Sequence, residues 1–147
     1  MATQVSKNEL AETMIALASQ YRQMADRLSI DAYKQLTAGT IDKATYDRFH
    51  ENADKIFAQA VAIHREVAAL ADGLIEADLA GIESARKALE DATARIAKTR
   101  EIINITLAAI TAIGAILIAC STPNPETILA AVQSTKALAD DIAQKNA

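Results

Sequence analysis

The chain has one cysteine, two prolines, four glycines and no tryptophan in 147 residues. Each scarcity removes a class of protein. A single cysteine excludes an intramolecular disulfide and provides no paired-thiol spacing for a metal. Both prolines, Pro123 and Pro125, come late, so the preceding 122 residues can run in long helices without interruption. Three tyrosines and two phenylalanines leave little aromatic surface for stacking bases or lining a ligand pocket, and no small-molecule substrate is evident.

Charge of one sign is also lacking. The net charge is −4, with acids and bases interleaved, and the densest basic stretch, Arg86 to Arg100, contains Glu90 and Asp91. Nucleic acid is therefore not expected as a partner, because phosphate binding needs an uncompensated basic face. The opening MATQVSKNEL is polar and has no apolar signal-peptide core. It predicts no Sec export, leaving cytoplasmic residence, membrane association or leaderless release open.

Catalytic patterns are missing as well. There is no glycine-rich phosphate loop, Ser/His/Asp set or paired-cysteine motif. The adjacent acids Asp140-Asp141 and Glu90-Asp91 point in different directions on a helix and form no catalytic pair. His50 and His64 are fourteen residues apart and share a helix side, with Asp47 three residues before His50. A di-iron bundle needs a second Glu-x-x-His, and Val61 occupies that offset from His64. Tyr21, Tyr46 and Phe49 fall in apolar seams as core residues. No catalytic residue, cofactor or metal site is expected, and the chain is not expected to be an enzyme.

What the chain does have is helix. Thirty-three alanines accompany the few helix breakers. The first predicted helix opens at Ser6, whose Ser-x-x-Glu spacing to Glu9 matches a capping box. Its seam is Leu10, Met14, Leu17, Tyr21, Met24 and Leu28, and Thr37-Ala38-Gly39-Thr40 reads as a turn. The second starts at about Asp42, with Tyr46, Phe49, Ala53, Ile56, Ala60, Ile63, Val67, Leu70 and Leu74 in three-four alternation up to Asp72-Gly73.

From Ile75 an aliphatic column recurs every seven residues through Ile82, Leu89, Ile96, Ile103, Ile110 and Leu117. It predicts one continuous helix of about 45 residues, about 70 Å long. A bend near Thr99 into a compact four-helix bundle fits the pattern equally well. Asn124, Pro125 and Glu126 then form an N-cap, first helical residue and acidic first turn for a last helix reaching about Gln144.

Within the third helix lies the exceptional segment. Nineteen residues from Ile102 to Cys120 carry no charge and include seven isoleucines. At about 1.5 Å per residue this spans a hydrocarbon core roughly 30 Å thick. The bases Arg95, Lys98 and Arg100 stand just before it, and no base follows until Lys136, the asymmetry of a positive-inside flank. Against a membrane role, no Trp or Tyr flanks the segment and Asn104 interrupts it. Large residues cover more than half the helical wheel, while Asn104, Ala108, Thr111, Ala112, Ala115 and Ala119 form a small-residue arc. Leu117-Ile118-Ala119-Cys120 has a lipobox pattern, but about 100 residues too deep to act as a signal, so Cys120 is expected to be a buried thiol.

A helical body with an apolar hairpin head resembles the layout of α-helical pore-forming toxins. The likeness is one of layout, with no motif behind it. It implies self-assembly and membrane entry, and assigns no residue roles.

The expected fold is all-α, an antiparallel helical bundle or coiled coil of about four helices, with a long third helix and an apolar C-terminal hairpin. The whole chain, 1–147, is one domain, with an amphipathic body over 6–100 and the hairpin over 102–145. The leading functional expectation is a protein that self-associates and engages or inserts into a membrane. Ile102, Ile103, Ile105, Leu107, Ile110, Ile113, Ile116, Leu117 and Ile118 would enter the bilayer. Asn104, Ala108, Thr111 and Ala115 would face a packing helix or a lumen. The alternative is a soluble cytoplasmic scaffold or adaptor whose third helix forms the core of a homo-oligomer. Its partners would be further copies of itself or another helical protein.

Overall fold

The structure, a computed structural model, describes residues 7–67, 76–96, 102–122 and 124–145. These form five helices and no strand: α1 (Lys7–Thr37), α2 (Lys43–Glu66), α3 (Glu76–Ala94), α4 (Ile102–Ser121) and α5 (Pro125–Lys145).

Each amphipathic helix buries the face its sequence marks. In α1 all six seam residues from Leu10 to Leu28 are buried, flanked by a second buried column of Ala18, Ala25 and Ala32. That second column widens the stripe beyond a coiled-coil seam and lets α1 serve three neighbours. In α2 Phe49, Ala53, Ile56, Ala60 and Ile63 are buried, and Val67 follows in the same phase. Each large aliphatic side chain withdrawn from water in this way contributes roughly 1.5–3 kcal/mol. The proposed Ser6 cap, Leu70, Leu74 and the Asp72-Gly73 break lie outside the described residues.

The helix ends follow local chemistry. Gly39 adopts φ +74°, which L side chains rarely take. It terminates α1 while the Thr40 amide donates to the Gln35 carbonyl at 2.9 Å. Asp42 caps α2, accepting the Thr45 amide at 2.8 Å. Asn124 caps α5, accepting the Thr127 amide at 2.9 Å, and the Thr127 hydroxyl donates back to the Thr122 carbonyl at 2.8 Å.

The continuous third helix does not form. The heptad column passes unbroken from Ile82 to Leu117, yet α3 ends at Ala94 and a separate α4 begins at Ile102. The last turn of α3 tightens, with Arg95 and Ile96 amides donating three residues back to Ala92 and Thr93. The Ile96 carbonyl is taken by α1, whose Arg27 donates to it from Nε at 3.2 Å and Nη2 at 3.1 Å. An Arg at the negative end of a helix is favourable on charge grounds as well. The bend site suggested by the sequence, Thr99, lies outside the described residues. Among the described residues the outcome is five helices rather than about four, with α4 and α5 paired as a C-terminal hairpin that is folded into the bundle against α2.

Packing closes the five helices into a ring in the order α1, α2, α4, α5, α3 and back to α1, with α1 also touching α4 across it. Directions follow from paired residues. Thr13 borders Leu79 at one end of the α1/α3 pair and Arg27 meets Ile96 at the other, so these helices are parallel. Gly81 faces Val132, and further along Ala92 lies by Ala143, which makes α3 and α5 parallel too. Helices α2 and α4 run the opposite way. Each link in the chain therefore joins antiparallel helices, and the charge-free α4 sits between α2 and α5.

Candidate membrane and self-association face

α4 is apolar around its whole circumference, so its own pattern does not say which side faces inward. Its neighbours do. Ile105, Thr106, Ala109, Ala112, Ile113, Ile116, Ala119 and Cys120 are buried. The alanines on this face let the neighbouring helices approach closely. On the opposite side Asn104 and Thr111 are exposed, Leu107 is 47% exposed and Ile118 60% exposed. Leu129 of α5 is 54% exposed.

The division between large and small residues on the wheel is thus not the division between outside and inside. Of the nine residues expected to enter a bilayer, Ile105, Ile113 and Ile116 point into the bundle, and Leu107 and Ile118 point out. Ile103, Ile110 and Leu117 are half-buried against the core. Ile102 opens α4, and its side-chain surroundings lie outside the described residues. Of the small-residue set, Asn104 and Thr111 face outward while Ala108 and Ala115 are half-buried. Ala108, Thr111 and Ala112 line an open groove of about 420 Å³ with Ser134, Ala137, Leu138 and Asp141 of α5.

The edge of α2 that meets α4 is polar. Asn52 donates from Nδ2 to the Thr106 hydroxyl at 3.4 Å, and that hydroxyl donates to the Ile103 carbonyl at 2.8 Å. One heptad further along α2, the Gln59 amide nitrogen lies where a side chain on Gly114 would touch it at 3.8 Å. The Gln59 Oε1 is buried with no hydrogen-bond partner among the described residues. Another heptad on, the Glu66 carboxylate bears on Cys120 at the end of α4. The Cys120 side chain is 1% exposed. Burial, aided by that carboxylate, pushes its thiol up to about 12, which leaves it unreactive as a nucleophile while the bundle is closed.

Other candidates resolve into ordinary surface chemistry. Asp47 pairs with Lys43 at 2.9 Å and His50 lies 3.5 Å from Asp54, both exposed helix pairs. Such pairs contribute little to stability. Among the described residues no group of three or more His, Cys, Asp or Glu could hold a metal. Tyr21 and Phe49 are core residues, and Tyr46 packs against the core.

Sequence reasoning missed the Arg27–Ile96 contact and the Asn52-Gln59-Glu66 column. The column had a signal: three polar residues at seven-residue spacing on one edge of an otherwise apolar pattern. Arg27 had none, because its carbonyl partner is remote in sequence. No family model, curated protein or solved structure matches this chain.

Proposed function

We propose that this chain is a non-enzymatic helical-bundle protein that self-associates and engages a membrane through α4. One observation carries the reading. A helix of 20 residues without a charged side chain is packed into the bundle on one face only, and its outer strip presents Leu107 and Ile118 to solvent. A helix that faced water throughout its life would gain solubility from charge on that strip. Here the strip is apolar or neutral along its whole length.

Transfer of such a strip from water to a hydrocarbon surface is favourable by about 25 cal/mol per Å² of apolar area. Leu107, Ile118 and the half-buried Ile103, Ile110 and Leu117 supply the first contact. Full insertion further requires that Ile105, Ile113 and Ile116 leave the bundle.

A second reading has its own support. Within the apolar span Ile103–Ser121, 44% is already buried inside the bundle, and the core helix of a soluble scaffold has that property too. In this reading the outer strip is covered by further copies of the chain or by another helical protein.

Flotation of the detergent-free chain with liposomes, paired with dye release and analytical ultracentrifugation, separates the two. Co-flotation with leakage is expected from the membrane reading. A defined soluble oligomer that ignores liposomes of every charge would sink it and leave the scaffold.

A further inference from the structure

We propose that the α2/α4 seam is the built-in opening point of the helix ring, and that Asn52 and Gln59 keep it weak. The inference rests on the proposed membrane role only for what the opening would present, namely the inner face of α4.

Four observations converge on this seam. The Asn52–Thr106 hydrogen bond is long, at 3.4 Å. Gln59 brings a carbonyl oxygen into the interface with no partner among the described residues. Gly114 stands opposite the Gln59 amide nitrogen, so that position of α4 contributes no side chain to the contact. The column then ends at Glu66, an exposed residue over the end of α4. A buried acceptor without a donor penalises the closed state, and water satisfies it when the seam opens.

The remaining contacts of α4 and α5 are of another kind. α4 is tied to α5 by the Asn124–Thr127 turn, with hydrogen bonds of 2.8 and 2.9 Å. α5 is tied to the far side of the ring by Thr135, whose hydroxyl lies 2.8 Å from that of Tyr21. Separation at α2/α4 breaks the long Asn52–Thr106 hydrogen bond and parts an apolar surface, but it also lets water reach the buried Gln59 carbonyl. Among the described residues, separation at the other interfaces parts apolar core with no such acceptor to relieve, and at α1/α3 it also breaks the Arg27–Ile96 hydrogen bonds. Local opening follows the least stable interface.

Cys120 sits on α4 at the Glu66 end of this seam and reports its opening without any label. In lipid-free solution, the rate of Cys120 modification by a soluble disulfide reagent is compared with that of Ala139→Cys in a Cys120→Ala background. Ala139 is buried at the α3/α5 side of the ring. Cys120 is expected to react about tenfold faster, with a shallower urea dependence, because only part of the chain opens. Gln59→Leu is expected to slow Cys120 modification about tenfold by removing the unpaired carbonyl. Equal rates and equal urea dependence for the two thiols would show one cooperative opening and overturn the proposal. So would a Gln59→Leu protein whose Cys120 reacts as fast as before. Hydrogen exchange of the unsubstituted chain gives the same comparison, with α2 amides expected to exchange through a smaller opening than α3 amides. Because lipid is absent throughout, a seam that opens in a chain that ignores liposomes would refute the membrane role alone.

Discussion

The Tyr21 hydroxyl lies 2.8 Å from the Thr135 hydroxyl, joining α1 to α5 across the inside of the ring. The backbones of these two helices are not packed neighbours, so a long aromatic side chain is what bridges them. Both residues are fully buried. Tyr21→Phe leaves the Thr135 hydroxyl without its partner and is expected to cost about 1–2 kcal/mol. Adding Thr135→Val should restore most of that loss, since removing both polar groups is nearly neutral. Urea-unfolding midpoints of the single and double variants check this.

Burial also raises the ionisation of Tyr21 well above the ordinary tyrosine value of 10.0. The folded state then keeps its proton where the unfolded chain has lost it. The stability contributed is full below about pH 10 and falls as pH rises from there toward the folded value. Urea midpoints measured across the alkaline range should fall more steeply for the unsubstituted chain than for Tyr21→Phe.

Arg27 closes the end of α3 by donating twice to the Ile96 carbonyl, at 3.1 and 3.2 Å. Arg27→Met keeps much of the aliphatic stem and removes both donors, at an expected cost of about 1 kcal/mol. Arg27→Lys should recover only part of it, because an ammonium does not reproduce the fork. Thermal melts give the stability change. Faster amide exchange at Arg95 and Ile96 would localise it.

The outer strip of α4 separates folding from function. Leu107→Lys with Ile118→Lys places charge at positions 47% and 60% exposed, and should change stability by no more than about 0.5 kcal/mol per site. The same pair is expected to abolish liposome flotation. Ile113→Ala, at a fully buried position, should instead cost about 2–5 kcal/mol. Helical signal on heating reports the first quantity and flotation the second. Retained flotation by the double-lysine chain would remove the strip from the proposed function.

Gly114 offers the opposite test, a gain. A β-carbon there would meet Gln59 at 3.8 Å, an ordinary contact, and alanine is favoured over glycine within a helix by about 1 kcal/mol. Gly114→Ala should therefore raise the melting temperature. A fall would mean that α2 and α4 approach more closely than this packing allows.

Much of the architecture was legible because the chemistry that sets it is local. The Leu10–Leu28 seam, the Phe49–Ile63 seam, the start of α2 at Asp42 and the Asn124 cap each depend on residues within a few turns of one another. The third helix departs from its continuous heptad pattern for the complementary reason. Seven-residue spacing from Ile82 to Leu117 specifies a common phase but no continuity. The end at Ala94 involves Arg27, which is 69 residues from the carbonyl it takes.

Composition and spacing alone specify that this protein is helical, where the amphipathic faces of α1 and α2 lie, and that one helix carries no charge. An amphipathic helix states its orientation in its own pattern, since only one face can be buried favourably. A helix apolar all round makes no such statement. That Ile105, Ile113 and Ile116 face the core while Leu107 and Ile118 face out is set by the packing of the bundle, because the choice belongs to α2 and α5, the helices on either side.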